Sequence, residues 1–233
     1  MTPIRLVVAD MAGTTVTDGG VVEHAFVDAL RELGADPSQH LAFVRATMGQ
    51  SKLVVFRSVF DGNEERAHAA NEAFEAAYAR RVSSGAVAPL PGVEAAFRSL
   101  RDFGVKVCLT TGFSSVTRDR VIEALGWELL VDGALSPTGD VRGRPYPDLV
   151  FAAMRQFEAS DVHAVAVVGD TASDLECGAA AGVAVVAGVL TGAHSYADLL
   201  RAPHTHLLGA FPEVVAVVAA RAGSDRHASG ALS

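Results

Sequence analysis

Cysteine occurs twice in 233 residues, as Cys108 and Cys177, each inside an apolar segment. Two thiols so placed read as buried and free, and no disulfide framework can be built from them. Long hydrophobic runs are also lacking. The longest stretch of small apolar residues, 178–190, is broken by glycine and shorter than the ~20 residues a membrane helix needs. No basic-then-apolar leader opens the chain. Positive charge is in deficit, with a net charge of −8, which argues against a nucleic-acid surface. These absences lead to the expectation of a cytoplasmic protein with no nucleic-acid or membrane partner. The eight histidines show no metal-ligand spacing, and His204 and His206 read as a surface turn before a last strand.

Lysine is the scarcest of the charged residues. The chain carries seventeen arginines and two lysines, Lys52 and Lys106. A guanidinium is always charged and cannot act as an amine nucleophile, whereas a lysine can lose its proton where its surroundings disfavour the charge. Lys106 reads as the start of an exposed strand edge. Lys52 is left as the amine that invites a role.

What is present suits a packed α/β protein: half of the residues are hydrophobic, enough at this length for one substantial core with a modest insertion. Apolar, β-branched runs at 4–9, 105–109 and 165–168 each end in a polar cluster. The first ends in Asp10 followed by Met11-Ala12-Gly13-Thr14-Thr15, the second in Thr110-Thr111-Gly112, the third in Gly169-Asp170-Thr171-Ala172-Ser173-Asp174. A loop, Gly143-Arg144-Pro145-Tyr146-Pro147, adds a cation. In open α/β sheets the carboxyl ends of strands are where ligands bind. A nucleophilic carboxylate, a hydroxyl donor, a fixed cation and a pair of carboxylates fit phosphoryl transfer with a divalent metal.

Between the first and second runs the pattern turns helical, with helices expected over 22–33, 37–48, 51–60 and 63–82. Four helices without a strand cannot belong to an alternating sheet, so 17–83 is read as an inserted all-helical cap, joined by linkers near 16–20 and 83–91. From residue 92 strand and helix alternate: helices over 93–103, 115–125, 148–157, 173–181 and 211–221, an extended piece at 129–131, and strands at 183–189 and 206–208. The fold expected is a doubly wound, mostly parallel α/β sheet formed by 1–16 and 84–222. The tail, 223–233, is rich in Ser, Gly and Ala and is expected to be disordered.

Taken together, these four ordered motifs resemble the haloacid dehalogenase superfamily over nearly the whole chain. The resemblance implies a Rossmannoid core in which Asp10 attacks phosphorus to form an aspartyl-phosphate. It implies magnesium held by the Asp10 carboxylate, the Ala12 carbonyl and Asp170, with Asp174 near by through hydrogen bonds or water. Arg144 would hold charge beside the nucleophile, and Thr111, or alternatively Thr110, would bind a phosphoryl oxygen. Met11 and Gly112 would offer backbone amides, and with Met48 and Phe113 they would contact the substrate. Relatives often pair through their caps, so a homodimer is compatible.

Ala12 stands where phosphatases of the superfamily usually carry an aspartate that protonates the leaving group. An alanine there gives up roughly 10²- to 10⁴-fold of acid-base assistance. Asp-Met-Ala-Gly-Thr-Thr, with Arg144 and the Met48-Gly49-Gln50-Ser51-Lys52 run, resembles the phosphonatase-like hydrolases within the superfamily. There a cap lysine forms a Schiff base with a 2-oxoalkyl phosphonate such as phosphonoacetaldehyde. Ser51 is a candidate N-cap, which puts Lys52 in a first helical turn, where the helix dipole disfavours its charge. Val55 and Phe113 occupy positions where phosphonatase has histidine and tyrosine. The alternatives are a phosphatase acting on a small organic phosphate without imine chemistry, and a weakly catalytic binding module, which the intact Asp10, Thr111, Arg144, Asp170 and Asp174 oppose.

Overall fold

The computed structural model describes residues 2–17 and 19–229. Its six strands are β1 (Leu6–Asp10), β2 (Lys106–Thr110), β3 (Gly133–Leu135), β4 (Val165–Gly169), β5 (Val185–Val189) and β6 (His206–Leu208). They form one sheet in the order β3-β2-β1-β4-β5-β6 with every pair parallel. Side chains alternate between the faces. Val7 and Ala9 of β1 join Ala166 and Val168 of β4 in one apolar cluster, and Leu6 and Val8 join Val165 and Val167 in another. A strand buried on both faces has no polar alternation, which is why these segments are continuous apolar runs. The register sets Asp10 opposite Thr110 and Ala9 opposite Val168. The carboxyl ends of β1, β2 and β4 therefore lie side by side.

After β1 come α1 (Val21–Glu32), α2 (Pro37–Ala46), α3 (Lys52–Val59) and α4 (Glu64–Ser83), with no strand among them. Asp36 and Asn63 cap α2 and α4 through their side chains. The apolar faces of these helices close on a ring cluster in which Phe26 lies 5.0 Å from Phe56 and 4.8 Å from Phe74. Tyr78 continues the cluster to Phe113 of the sheet domain at 4.4 Å. The two chain passages that tether the insertion run together. Thr17 N–H donates to Ala88 O (2.8 Å), Leu90 N–H to Thr15 O (3.0 Å), and Val16 bridges Pro89.

The return through the sheet uses α5 (Val93–Asp102), α6 (Ser115–Leu125), α7 (Asp148–Gln156), α8 (Ala172–Ala181), α9 (Tyr196–Arg201) and α10 (Val214–Ser229). Several expectations need correction. The third strand lies at Gly133–Leu135 and not at 129–131, because Leu129, though apolar, is 88% exposed and the carbonyls of Leu129 and Leu130 serve as acceptors for Arg101. β2 is an interior strand, so Lys106 marks an exposed strand start, paired with Asp132 at 2.8 Å, and no sheet edge. The short α9 was not anticipated. α10 continues past Gly223 to Ser229, since one glycine costs only about 1 kcal/mol in an otherwise alanine-rich helix; residues 230–233 of the expected disordered tail lie outside the described residues. Among the described residues no helix is long and apolar enough to cross a membrane.

Phe74 touches Phe26, Phe56, Tyr78 and Phe113. Phe74→Ala is expected to lower the unfolding free energy by about 3–5 kcal/mol, read from urea melts. A change below about 1 kcal/mol would mean the ring cluster does not hold the insertion together.

Candidate active site

At the carboxyl edge of the sheet, β1 ends in Asp10 and β4 is followed directly by Asp170. Arg144 Nη1 lies 2.6 Å from Asp10 Oδ1 and makes a second, very short contact with Asp174 Oδ1. The other oxygen of Asp174 accepts from Thr171 N–H (3.1 Å) and Thr171 Oγ1 (2.5 Å), closing the first turn of α8 as a capping box. Asp170 accepts from Thr14 Oγ1 at 2.9 Å and from Ala193 N–H at 2.7 Å. The three carboxylates are buried and offer oxygens within 4.8 Å of one another.

This crowding has an electrostatic cost. Burial, opposed by Arg144 and reinforced by Asp174, pushes the Asp10 carboxyl up to about 6. Burial and then the charges of Asp10 and Asp174 raise Asp170 well above the usual carboxylate range. Burial works against the Arg144 charge as well, yet the two aspartates hold it firmly protonated. Three acids against one cation leave uncompensated negative charge in a water-poor space. Hard oxygen donors with that charge excess fit a metal ion. Arg144 also keeps Nε and Nη2 buried without a partner among the described residues, two donors suited to oxyanion oxygens.

The remaining sequence-named residues fall around this cluster. A cavity of about 30 Å³ is lined by Asp10, Ala12, Thr111, Gly112, Phe113, Arg144 and Asp170 from the sheet domain and by Met48 and Lys52 from the insertion. Thr111 reaches the cavity; Thr110 does not, its hydroxyl pointing back to Ala9 O at 3.5 Å. Met11 contributes only its backbone N–H, bonded to the Asp10 carboxylate, because its side chain is core. Asp174 stands behind Arg144 and outside the cavity lining.

Lys52 is brought in by direct backbone contact. A Cβ on Gly112 would stand 2.3 Å from Gln50 O, and one on Gly49 would stand 2.4 Å from Thr171 Oγ1. Only glycine permits the 48–52 loop to lie this close to the strand ends. Lys52 N–H then donates to Gly112 O at 3.3 Å. Ser51 occupies the N-cap of α3 as expected, which puts Lys52 first in the helix, although its side chain makes no capping bond. The buried Lys52 amine donates to Gln50 O at 3.4 Å and lies 5.3 Å and 5.7 Å from the ring centroids of Phe113 and Phe26. Residues that sequence reasoning missed are Thr171 and Ala193. Both sit in polar clusters at strand ends, the signal that identified the others.

A model of the haloacid dehalogenase-like hydrolases matches residues 4–182. The chain belongs to this family. The hydrolase is 30% identical over 214 residues to the probable phosphatase IndB of Dickeya dadantii, covering 90% of this chain and 91% of that one. To the phosphonoacetaldehyde hydrolase of Parabacteroides distasonis it is 29% identical over 218 residues, 83% of this chain and 79% of the relative. Its fold matches the crystal structure of a phosphonoacetaldehyde hydrolase-like protein from Oleispira antarctica with a TM-score of 0.80 at 21% identity, covering 94% and 93% of the two chains.

The raised carboxyls give a pH signature. A carboxyl whose folded value exceeds its unfolded value binds a proton that the unfolded chain has already released. The stability it contributes is fully present below about pH 4 and is lost as pH rises through about 6. Melts of the metal-free hydrolase should therefore show Tm falling over this window, with a smaller fall in Asp170→Asn. Added divalent metal should raise Tm more near pH 7 than near pH 5; an equal shift at both would contradict the charge-excess account.

Proposed function

We propose that this hydrolase is a magnesium-dependent phosphonatase-like enzyme that cleaves the C–P bond of a 2-oxoalkyl phosphonate such as phosphonoacetaldehyde. The observation that carries the reading is that Ala12, Asp10 and Lys52 line one and the same cavity. Alanine cannot protonate a leaving group, so the leaving carbon must be stabilised by other means. An amine in the same cavity as the nucleophile can supply it.

In this reading Lys52 adds to the aldehyde carbonyl and loses water to give an iminium. Asp10 attacks phosphorus, and the C–P electron pair moves into the iminium to form an enamine. Water releases phosphate from Asp10; the enamine takes a proton on carbon and is hydrolysed to acetaldehyde and free Lys52. Arg144 Nε and Nη2 with Thr111 hold phosphoryl oxygens, and Arg144 Nη1 keeps Asp10 ionised and oriented. Magnesium bound by Asp10, the Ala12 carbonyl and Asp170, with Asp174 behind them, would screen the repulsion between two anions.

A second reading, a phosphatase acting on a small organic phosphate without an imine, is favoured by the contact of the Lys52 amine with Gln50 O and by the similarity to IndB. Magnesium-dependent phosphate release from phosphonoacetaldehyde, run beside p-nitrophenyl phosphate, separates the two. The imine reading expects phosphonate turnover that disappears in Lys52→Arg, borohydride trapping of a substrate adduct on Lys52, and loss of all activity in Asp10→Asn. Hydrolysis of the ester alone, indifferent to Lys52, would establish the second reading.

The cavity of about 30 Å³ holds a water or two and no organic phosphonate. Substrate admission therefore requires the helical cap to swing on its paired linkers, and closure would exclude water from the imine. X-ray scattering should show a larger radius of gyration for the ligand-free enzyme than for the enzyme with magnesium and a non-hydrolysable phosphonate; identical curves would count against cap motion.

A further inference from the structure

The loop after β5 takes no part in the chemistry above, yet it touches both segments that carry the acidic cluster. Thr191 Oγ1 donates to the Gly13 carbonyl at 2.6 Å, and Ala193 N–H donates to Asp170 Oδ2 at 2.7 Å. His194 Nδ1 accepts the N–H of Ala172 at 3.0 Å, which leaves the proton of the neutral ring on Nε2. Ala172 is the first residue of α8, where backbone amides have no acceptor within the helix. The N-cap, Thr171, cannot serve this first amide, since an N-cap side chain reaches the second or third helical N–H, and its hydroxyl donates to Asp174.

Ala193 and His194 thus grip the turn from β4 to α8 at two points, one on the Asp170 carboxylate and one on the backbone two residues later. The loop also passes close to the carboxylate: a Cβ on Gly192 would stand 1.9 Å from Asp170 Oδ2, so only a residue without a side chain fits there. His194 also lines a cleft of about 460 Å³ together with Arg45 and Ala46 of α2, which puts it where the helical insertion meets the sheet domain.

We propose that His194 is a positioning residue of the metal site: by accepting the Ala172 N–H it fixes the β4-α8 turn and with it the orientation of Asp170. The inference rests on the reading of Asp170 as a metal ligand. Groups that orient a ligand in this way typically matter by 10- to 100-fold in metal affinity. Asparagine at 194 can present an acceptor oxygen near the place of Nδ1; alanine cannot.

The test is calorimetric titration of magnesium into the wild-type, His194→Ala and His194→Asn proteins, with the metal-free Tm of each recorded. The expected result is a loss of magnesium affinity of about 10-fold or more in His194→Ala, largely recovered in His194→Asn. Should His194→Ala not fold, His194→Leu, which keeps bulk and lacks the acceptor, takes its place. A lowered metal-free Tm with unchanged magnesium affinity would make His194 a helix cap and nothing more, and would overturn the proposal, as would failure of a folded His194→Asn to recover affinity. Absence of magnesium binding by the wild type would overturn the metal reading itself, an outcome distinct from either.

Discussion

The contact of Arg144 with the carboxylates of Asp10 and Asp174 sets the conditions under which the rest of the sheet edge must form. Removing an ion from water costs several kcal/mol, and the attraction between partners offsets this only when geometry and further hydrogen bonds are good. Here the further bonds come from every neighbouring segment: Thr171 to Asp174, Thr14 and Ala193 to Asp170, the Met11 amide to Asp10. Each donor sits at the carboxyl end of a strand or in the loop just after it. The parallel sheet is what brings those ends into one place. Negative charge still exceeds positive, and that residual imbalance suits the site to a cation.

A second constraint is the closeness of the helical insertion to this edge. Gly112 and Gly49 remove the side chains that would hold the 48–52 loop away. The ring cluster running from Phe26 through Phe74 and Tyr78 to Phe113 then gives the contact an apolar foundation. Lys52 enters the cavity because of both, and its signals in the sequence were the scarcity of lysine and the Met48-Gly49-Gln50-Ser51-Lys52 run. Its amine is surrounded by ring faces and a carbonyl, which attract a cation, in a buried setting that strips its hydration.

Most of the fold and much of the site were legible in the sequence because physical constraint and chemistry coincide at strand ends. A buried parallel strand must be an apolar run, and the polar residues that follow it stand at the ligand edge; Asp10, the Thr110-Thr111 pair and Asp170 are read that way. Thr110 and Thr111 could not be told apart by sequence: Thr110 closes β2 with its hydroxyl on Ala9 O, whereas Thr111, just past the strand, lines the cavity and accepts the Phe113 N–H. What escaped has physical reasons. Leu129 imitates a strand residue while lying in solvent. α9 is six residues long and announced only by the Ser195-Asp198 capping box. Ala193 acts through its backbone N–H, so no side-chain identity marks it.

The hydrogen bonds between the paired tethers also restrict the kinds of motion open to the insertion. Two separate covalent connections would let the helical insertion twist, slide or tilt. Bonded to each other through Thr15, Thr17, Ala88 and Leu90, they behave as one ribbon, stiff within its plane and compliant across it. For the cap movement proposed above, this coupling would favour rocking over twist or slide, so the accuracy with which Lys52 re-enters the cavity would be a property of the hinge as much as of the cavity.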